Sequence, residues 1–389
     1  MKSDFDPLEP EDFDSPYAVY RRLRRECPVA HSSAWGGFWA LTRNLDVSEA
    51  AADSATFITS KQNVVPKVAF TGRRPPLHLD PPEHTPYRRA LAPLLAEKRI
   101  ARFEPAIRAI CRELLAPMVT RGGGDICEEF SARMPIRVFA HWMNLPQPEA
   151  LRLAEVGRRY NIAVQSNDEL ATRETSLLLY TMARDLVAER KRAPLDPASD
   201  AASALLAARV DGQALPDEMI VGTIRQVLVV GIIAPTVVIG SIVVHLARDA
   251  ALQSQLRARA ELLEPALEEF LRLYTPYRGF ARTATRAVEI RGRCIPAGEP
   301  IALMYASANR DEEVFEDAES FRLDRPNMHE SLAFGRGTHN CPGAALARLQ
   351  LRVALEEILR HTRGFRLAGA ITPTRFPEIG ALRVPLAFD

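Results

Sequence analysis

Lysine is scarce in this 389-residue chain: it stands only at positions 2, 61, 67, 98 and 191, and arginine supplies the rest of the 50 basic residues. Against 49 acidic residues the formal net charge is +1. Such a balance gives no global reason to expect nucleic acid or an acidic membrane surface as a partner. Cysteine is sparse too. Cys27, Cys111, Cys127, Cys294 and Cys341 are odd in number, scattered and without close metal-type spacing. A disulfide framework is therefore not expected, and a reducing cytoplasm is. The first residues, Met1 to Asp6, are acidic and hold no apolar run, so neither a signal peptide nor an N-terminal anchor is expected. One long uncharged run exists, Val227 to Val244, which reaches the lower limit of a membrane span. Pro235, Thr236, Gly240 and Ser241 interrupt it, and it stands alone in mid-chain. A helix buried at the centre of a large soluble protein has the same all-round apolar character, and that is the expectation here.

What is present is an ordinary globular composition, 47% apolar and 25% charged. Ser15 to Glu26 has helical periodicity with Tyr17, Val19, Tyr20 and Leu23 inward. Gly36 to Thr42 reads as a strand after a glycine turn, and Leu45 to Ala52 as a helix. Thr59 to Leu79 is polar and proline-rich, a long loop of the kind that is usually functional or disordered. From His84 to about Arg272 the pattern is helical. It is broken near Arg121 to Gly124, Pro146 to Pro148 and Ala193 to Ser199. Pro216-Asp217-Glu218 opens the apolar helix at its first turn. Short strands are expected over Ala287 to Ile301, a last helix from Cys341 to about His361, and terminal strands from Phe365 to Phe388. No internal repeat or long linker appears, so residues 1–389 read as one domain. The expected fold class is mainly α, with a small β region drawn from both chain ends.

The most informative stretch is Phe334-Gly-Arg-Gly-Thr-His-Asn-Cys341-Pro-Gly-Ala-Ala-Leu-Ala-Arg348. Glycines surrounding one cysteine allow backbone to approach something flat or bulky, or to take φ > 0. Pro342 suits the first position of a helix, and Ala344 to Arg348 is strongly helix-forming. Cys341 is thereby expected at a helix N-terminus, where unpaired N–H groups favour a thiolate. A buried free cysteine in a turn is the plainer alternative. The spacing Phe-Gly-x-Gly-x-His-x-Cys-x-Gly resembles the haem-binding signature of the cytochrome P450 family at every defined position. That resemblance implies the triangular helical prism of the family around a buried haem b, with Cys341 as the iron ligand and catalytic centre. It implies that Phe334, Gly335 and Gly343 line the cofactor.

Other motifs follow the family in order. Glu269 and Arg272, in Glu-x-x-Arg on a helix, resemble the pair that joins Arg325 to lock the segment before the cysteine loop, a structural role. His84 and Arg88 lie four apart on one helix face; with Arg282 and His339 they resemble the family's contacts to the haem propionates, which need cationic partners. The likeness runs from about Pro16 to the C-terminus. It is weakest from Leu151 to Gln213, where members carry substrate-specific elements. Thr59 to Leu79, Leu273 to Phe280 and the turn near Pro377 to Gly380 are the candidate substrate walls.

The chain departs from the family in the long apolar helix. There Val230-Gly-Ile-Ile-Ala-Pro-Thr236 stands where Ala/Gly-Gly-x-Asp/Glu-Thr is the rule. Ile233 takes the acid position and Ala234 the alcohol position of a pair that normally manages protons during oxygen activation. Such help is typically worth about two to four powers of ten. Val230, Gly231, Ile233 and Ala234 are expected to line the distal pocket, with Pro235 kinking the helix and Thr236 facing elsewhere unless a bulge shifts its register. Three readings follow. In one a specialised metabolite is oxidised with its own polar groups delivering protons; in another the course of reaction is unusual, such as coupling or ring formation; in the third hydrogen peroxide replaces O2. A haem-binding sensor without turnover is the reading from another class. The resemblance further implies a small-molecule substrate, a monomer, and electrons from a ferredoxin and its reductase. Docking is expected on the cysteine side near Arg336, and the chain leaves no room for a fused reductase.

Overall fold

The computed structural model describes residues 3–9, 11–67 and 71–389, all with their side chains except Val230. Helices carry most of it. Those that matter below are α1 (Ser15–Glu26), α2 (Asn44–Ala52), α3 (His84–Leu91), α4 (Glu104–Arg121), α5 (Met134–Trp142), α6 (Gln147–Gln165), α7 (Glu169–Arg192), α8 (Asp217–Arg248), α9 (Leu263–Leu273) and α10 (Ala344–His361). The expected helices at Ser15–Glu26 and Leu45–Ala52 are both present, the second starting one residue earlier. Pro216 caps α8 from outside rather than sitting in its first turn.

The β region is built from strands far apart in sequence. Label the strands β1 (Val29–Ser32), β2 (Phe38–Leu41), β3 (Phe57–Ile58), β4 (Gly123–Asp125), β5 (Phe280–Ala284), β6 (Pro300–Leu303), β7 (Phe365–Leu367) and β8 (Pro385–Phe388). One sheet has the order β1-β2-β6-β5-β3, in which β2 and β6 run parallel and the other neighbours antiparallel. A second has the order β7-β8-β4. The expectation of a β region from both chain ends is thus corrected: β4 comes from the Gly122 to Gly124 break between helices. A small hairpin, Arg209–Val210 with Gln213–Ala214, was not expected either. These strands are two or three residues long, too short to show an alternating pattern.

α8 runs through the middle. It is long and apolar enough to cross a bilayer, but 82% of its most apolar window is buried inside the protein. Its neighbours include α5, α6, α7 and α10. α8 runs as one helix from Asp217 to Arg248 with Pro235 inside it. Proline removes one N–H from the ladder, the partner of the Gly231 carbonyl.

A buried charge cluster fastens the segment ahead of the cysteine. Glu269 on α9 accepts from Arg272 Nε and Nη2, both at 2.7 Å, and from Arg325 at 3.1 Å. Arg272 also donates to the carbonyls of Asn309, Ala318 and Ser320. Arg325 reaches the carbonyls of Glu316 and Ser320. Two guanidinium groups sharing one carboxylate tie α9 to residues 309–325. The spare donors all find carbonyls, as buried charge demands.

Candidate active site

The cysteine loop is shaped by glycine. Gly337 has φ +71°, and a Cβ there would lie 2.4 Å from the Ala51 carbonyl oxygen, so only glycine lets the loop rest on α2. Cys341 N–H then donates to the Phe334 carbonyl at 2.7 Å, closing the loop on itself. Arg348 covers the Phe334 ring at 4.4 Å while pairing with Glu268. One expectation needs correction: α10 begins at Ala344 with Gly343 as its cap, so Pro342 lies ahead of the helix and Cys341 two residues before the cap. The sulfur is still served by that turn, since the Gly343 N–H donates to it.

Cys341 has accessible surface, yet burial is the largest influence on its thiol and pushes the pKa up. The two facts agree when the sulfur faces an interior cleft rather than bulk water. Gly343, Arg88 and Arg348 oppose the rise. These donors and cations suit a sulfur that ends as a thiolate metal ligand.

Basic side chains from three separate elements converge beside this loop. His84 opens α3, Arg282 lies in β5, and His339 belongs to the loop. The rings of His84 and His339 meet edge to face at 4.6 Å. Burial holds the His84 pKa down, with Arg88 adding to it; burial, then Arg282 and His84, pushes His339 down to about 3. His84 Nε2 is buried without a hydrogen-bond partner among the described residues. Arg282, 3% exposed, has Nη1 on its neighbour's carbonyl and its guanidinium against the Tyr305 phenol. Arg88 donates to Asn340 O at 2.6 Å and to its side-chain oxygen at 2.5 Å, fastening α3 to the cysteine loop. The nearby carboxylate of Asp80 is largely engaged by Thr59 and Ser60. Two arginines beside two imidazoles that burial keeps neutral, with one ring nitrogen orphaned, fit the acidic edge of a haem.

α8 presents a narrow accessible stripe. Val227, Gly231 and Ala234 are its partly exposed positions in this stretch, three and four residues apart as one helix face requires. The side chain of Val230 lies outside the described residues. Ile233, expected on the same wall, is buried in the core at 6% exposure. Gly231 makes room for one ring: where its Cβ would be, Phe139 of α5 already stands. Thr236 does not turn inward. It is 4% exposed, and its hydroxyl donates to the carbonyls of Ser131 and Ile232, each at 2.8 Å.

The three candidate substrate walls assemble into one. Val65 N–H donates to Gly279 O, Arg278 N–H to Pro377 O, and Ile379 N–H to Pro276 O. Gly380 then packs on Val237 and Ser241 of α8. Sequence reasoning missed the polar groups nearby. Glu378, 3% exposed, accepts from Gln165 at 2.5 Å, and burial raises its pKa to about 7. Arg225, just before the uncharged run of α8, is 1% exposed. A lone arginine at the edge of an apolar helix was the signal for it.

The comparisons with known proteins agree with this geometry. The cytochrome P450 family model matches residues 179–368. The mycinamicin IV hydroxylase/epoxidase of Micromonospora griseorubida is 34% identical, over 80% of this chain and 78% of that one. Cytochrome P450 130 of Mycobacterium tuberculosis is 32% identical, over 95% and 93%. The solved structure of cytochrome P450 CYP109Q5 from Chondromyces apiculatus superposes with a TM-score of 0.90 at 26% identity, covering 100% of this chain and 99% of that one. Fold, cysteine loop, buried Glu269 cluster and near full-length similarity converge, and the chain belongs to the cytochrome P450 family of haem monooxygenases.

Proposed function

We propose that this enzyme oxidises a small specialised metabolite using O2 and electrons from a ferredoxin and its NAD(P)H-dependent reductase, and that the substrate itself completes the proton path. Thr236 carries the second half of the proposal. Its hydroxyl is committed to two carbonyls, and no acid or alcohol stands on the Val227, Gly231 and Ala234 stripe. A hydroxyl or carboxyl on the substrate, with ordered water, supplies what Ile233 and Ala234 cannot.

In this reading Cys341 is the iron ligand of haem b, and Phe334, Gly335 and Gly343 close around the cofactor. His84, Arg88, Arg282 and His339 hold the propionates. When bound, haem supplies oxygen activation, which no side chain of the protein provides. The protein orients the substrate and excludes water, and the Gly343 N–H with Arg88 and Arg348 offsets part of the cost of a buried thiolate at Cys341. We read residues 1–389 as one catalytic unit, working as a monomer in the cytoplasm. The ferredoxin docks on the cysteine side, where half-exposed Arg336 is held by Glu330.

The test is product formation from a metabolite library. It is run in parallel with NAD(P)H plus a surrogate ferredoxin system and with hydrogen peroxide alone. Turnover dependent on the electron chain supports the proposal. Equal or faster turnover with peroxide alone would make the enzyme a peroxygenase, and a ligand bound without consumption would make it a sensor. Cys341→Ala is the control: its reduced CO complex should lack the long-wavelength Soret band of thiolate ligation.

A further inference from the structure

Two arginines are buried side by side near the substrate wall with no acid to balance them. Arg74 comes from the Thr59 to Leu79 loop and is 8% exposed; Arg225, on α8, is 1% exposed. Neither forms an ion pair among the described residues. Arg225 gives one N–H to Ser176 at 2.7 Å, and its guanidinium lies 5.3 Å from the Tyr160 ring and 5.6 Å from the Tyr180 ring. Arg74 shares a hydrogen bond with Tyr160. Among the described residues, that leaves Arg74 Nε and both Nε and Nη1 of Arg225 buried without partners.

Charge buried without a counter-ion is costly, and buried donors without acceptors add to the cost. The two guanidinium groups feel one another. Burial, then Arg225, lowers Arg74 to about 10; burial, then Arg74 and Arg225, lowers His78 to about 3. Tyr180 does not offset this, because burial raises its phenol and keeps it neutral. The pair is firmly built. Gly222 of α8 lies so close to the loop that a Cβ there would meet the Arg73 carbonyl at 2.1 Å. The Tyr180 hydroxyl donates to that carbonyl at 3.1 Å, and Thr71 and Ser176 share a hydrogen bond at 2.7 Å. His78, which senses both arginines, joins them to a cavity of about 470 Å³ that it lines with Arg73, Asp80 and Glu83. Arg225 stands nine residues before Ala234 on the same helix, about two and a half turns.

We propose that Arg74 and Arg225 form a recognition site for a carboxylate on the substrate, with Tyr160 and Tyr180 flanking it. Two forks of planar donors match the two oxygens of a carboxylate, and a fixed arginine gives directional bonds that a lysine would not. This assignment rests on the reading of the cleft as the seat of small-molecule oxidation, and narrows its substrates to organic acids.

The test uses haem-loaded protein and matched probes: ω-phenylalkanoates from 3-phenylpropanoate to 8-phenyloctanoate, each with its primary amide, titrated calorimetrically. At least one acid should bind about tenfold or more tighter than its amide. Arg225→Gln and Arg74→Gln should each bring that ratio to about one while moving amide affinity less than about twofold. Arg225→Lys keeps the charge and should retain part of the preference. Equal binding of acid and amide across the series, or a preference that survives both glutamine variants, overturns the carboxylate site. Reduced CO spectra of the same samples separate the two readings. A normal thiolate band without acid preference defeats the carboxylate site alone. An absent band with the preference intact defeats the haem–thiolate reading instead.

Discussion

Glu269 is the residue on which the most depends without touching the chemistry. Its carboxylate is the acid shared by Arg272 and Arg325, all three nearly inaccessible to water. Removing one partner of a buried ion pair costs about 3–5 kcal/mol, because the remaining charge is stranded. Glu269→Leu strands two. Chemical unfolding of this variant should show a loss of at least that size. A loss below about 1 kcal/mol, the range of a surface pair, would mean the cluster is not closed to water as drawn. This cluster and the cysteine loop are also the parts most legible in the sequence, for a physical reason. Glu-x-x-Arg spans one helical turn, and the cysteine motif is a continuous loop, so local spacing carries the geometry. Arg74 and Arg225, or Glu378 and Gln165, meet only because distant segments fold together, and nothing local announces either pair.

At the scale of the element, α8 does two jobs that conflict at Gly231. The position belongs to the accessible stripe, yet the Phe139 ring lies 1.8 Å from where a Cβ would stand. Gly231→Ala should therefore be destabilising, by about 1–3 kcal/mol as for overpacked sites, despite the better helix propensity of alanine. Phe139→Leu in the same chain should recover most of that loss, a coupling visible as non-additive thermal midpoints. Additive effects would mean the ring moves aside at no cost. Three residues on, Ala234→Thr restores the family alcohol on the accessible stripe. If the substrate completes the proton path, the added volume displaces it, and coupling of electrons to product should not improve. A clear gain in coupling would count against substrate assistance. The helix itself was legible from its long apolar run. The sheet order was hidden, because strands of two to five residues carry little periodic signal and β4 joins from mid-chain.

For the molecule as a whole, the buried carboxyl of Glu378 links global stability to pH. Its ordinary value is 4.5, and burial raises it to about 7 in the folded chain. Below pH 4.5 it is neutral folded and unfolded, so the site costs nothing. Above pH 7 it is ionised in both states, and only the folded state bears the cost of burying the charge. Between those limits the native state binds more protons than the unfolded one, so stability must fall as pH rises. A shift of this size corresponds to on the order of 3 kcal/mol. Glu378→Gln keeps an oxygen to accept from Gln165 Nε2 and removes the ionisation. Near pH 4.5 the variant and the parent should unfold at similar urea concentrations. By pH 8 the variant should be the more stable, by an amount approaching that figure, and its pH profile should be flatter through this window. Other groups titrate there as well, so the quantity that decides is the difference between the two profiles, in which groups untouched by the substitution cancel. Parallel profiles would show that Glu378 ionises in the folded protein as easily as in water. They would place it in contact with solvent or a cation, and the wall formed by Pro276 to Gly279 and Pro377 to Gly380 would then be open at that point.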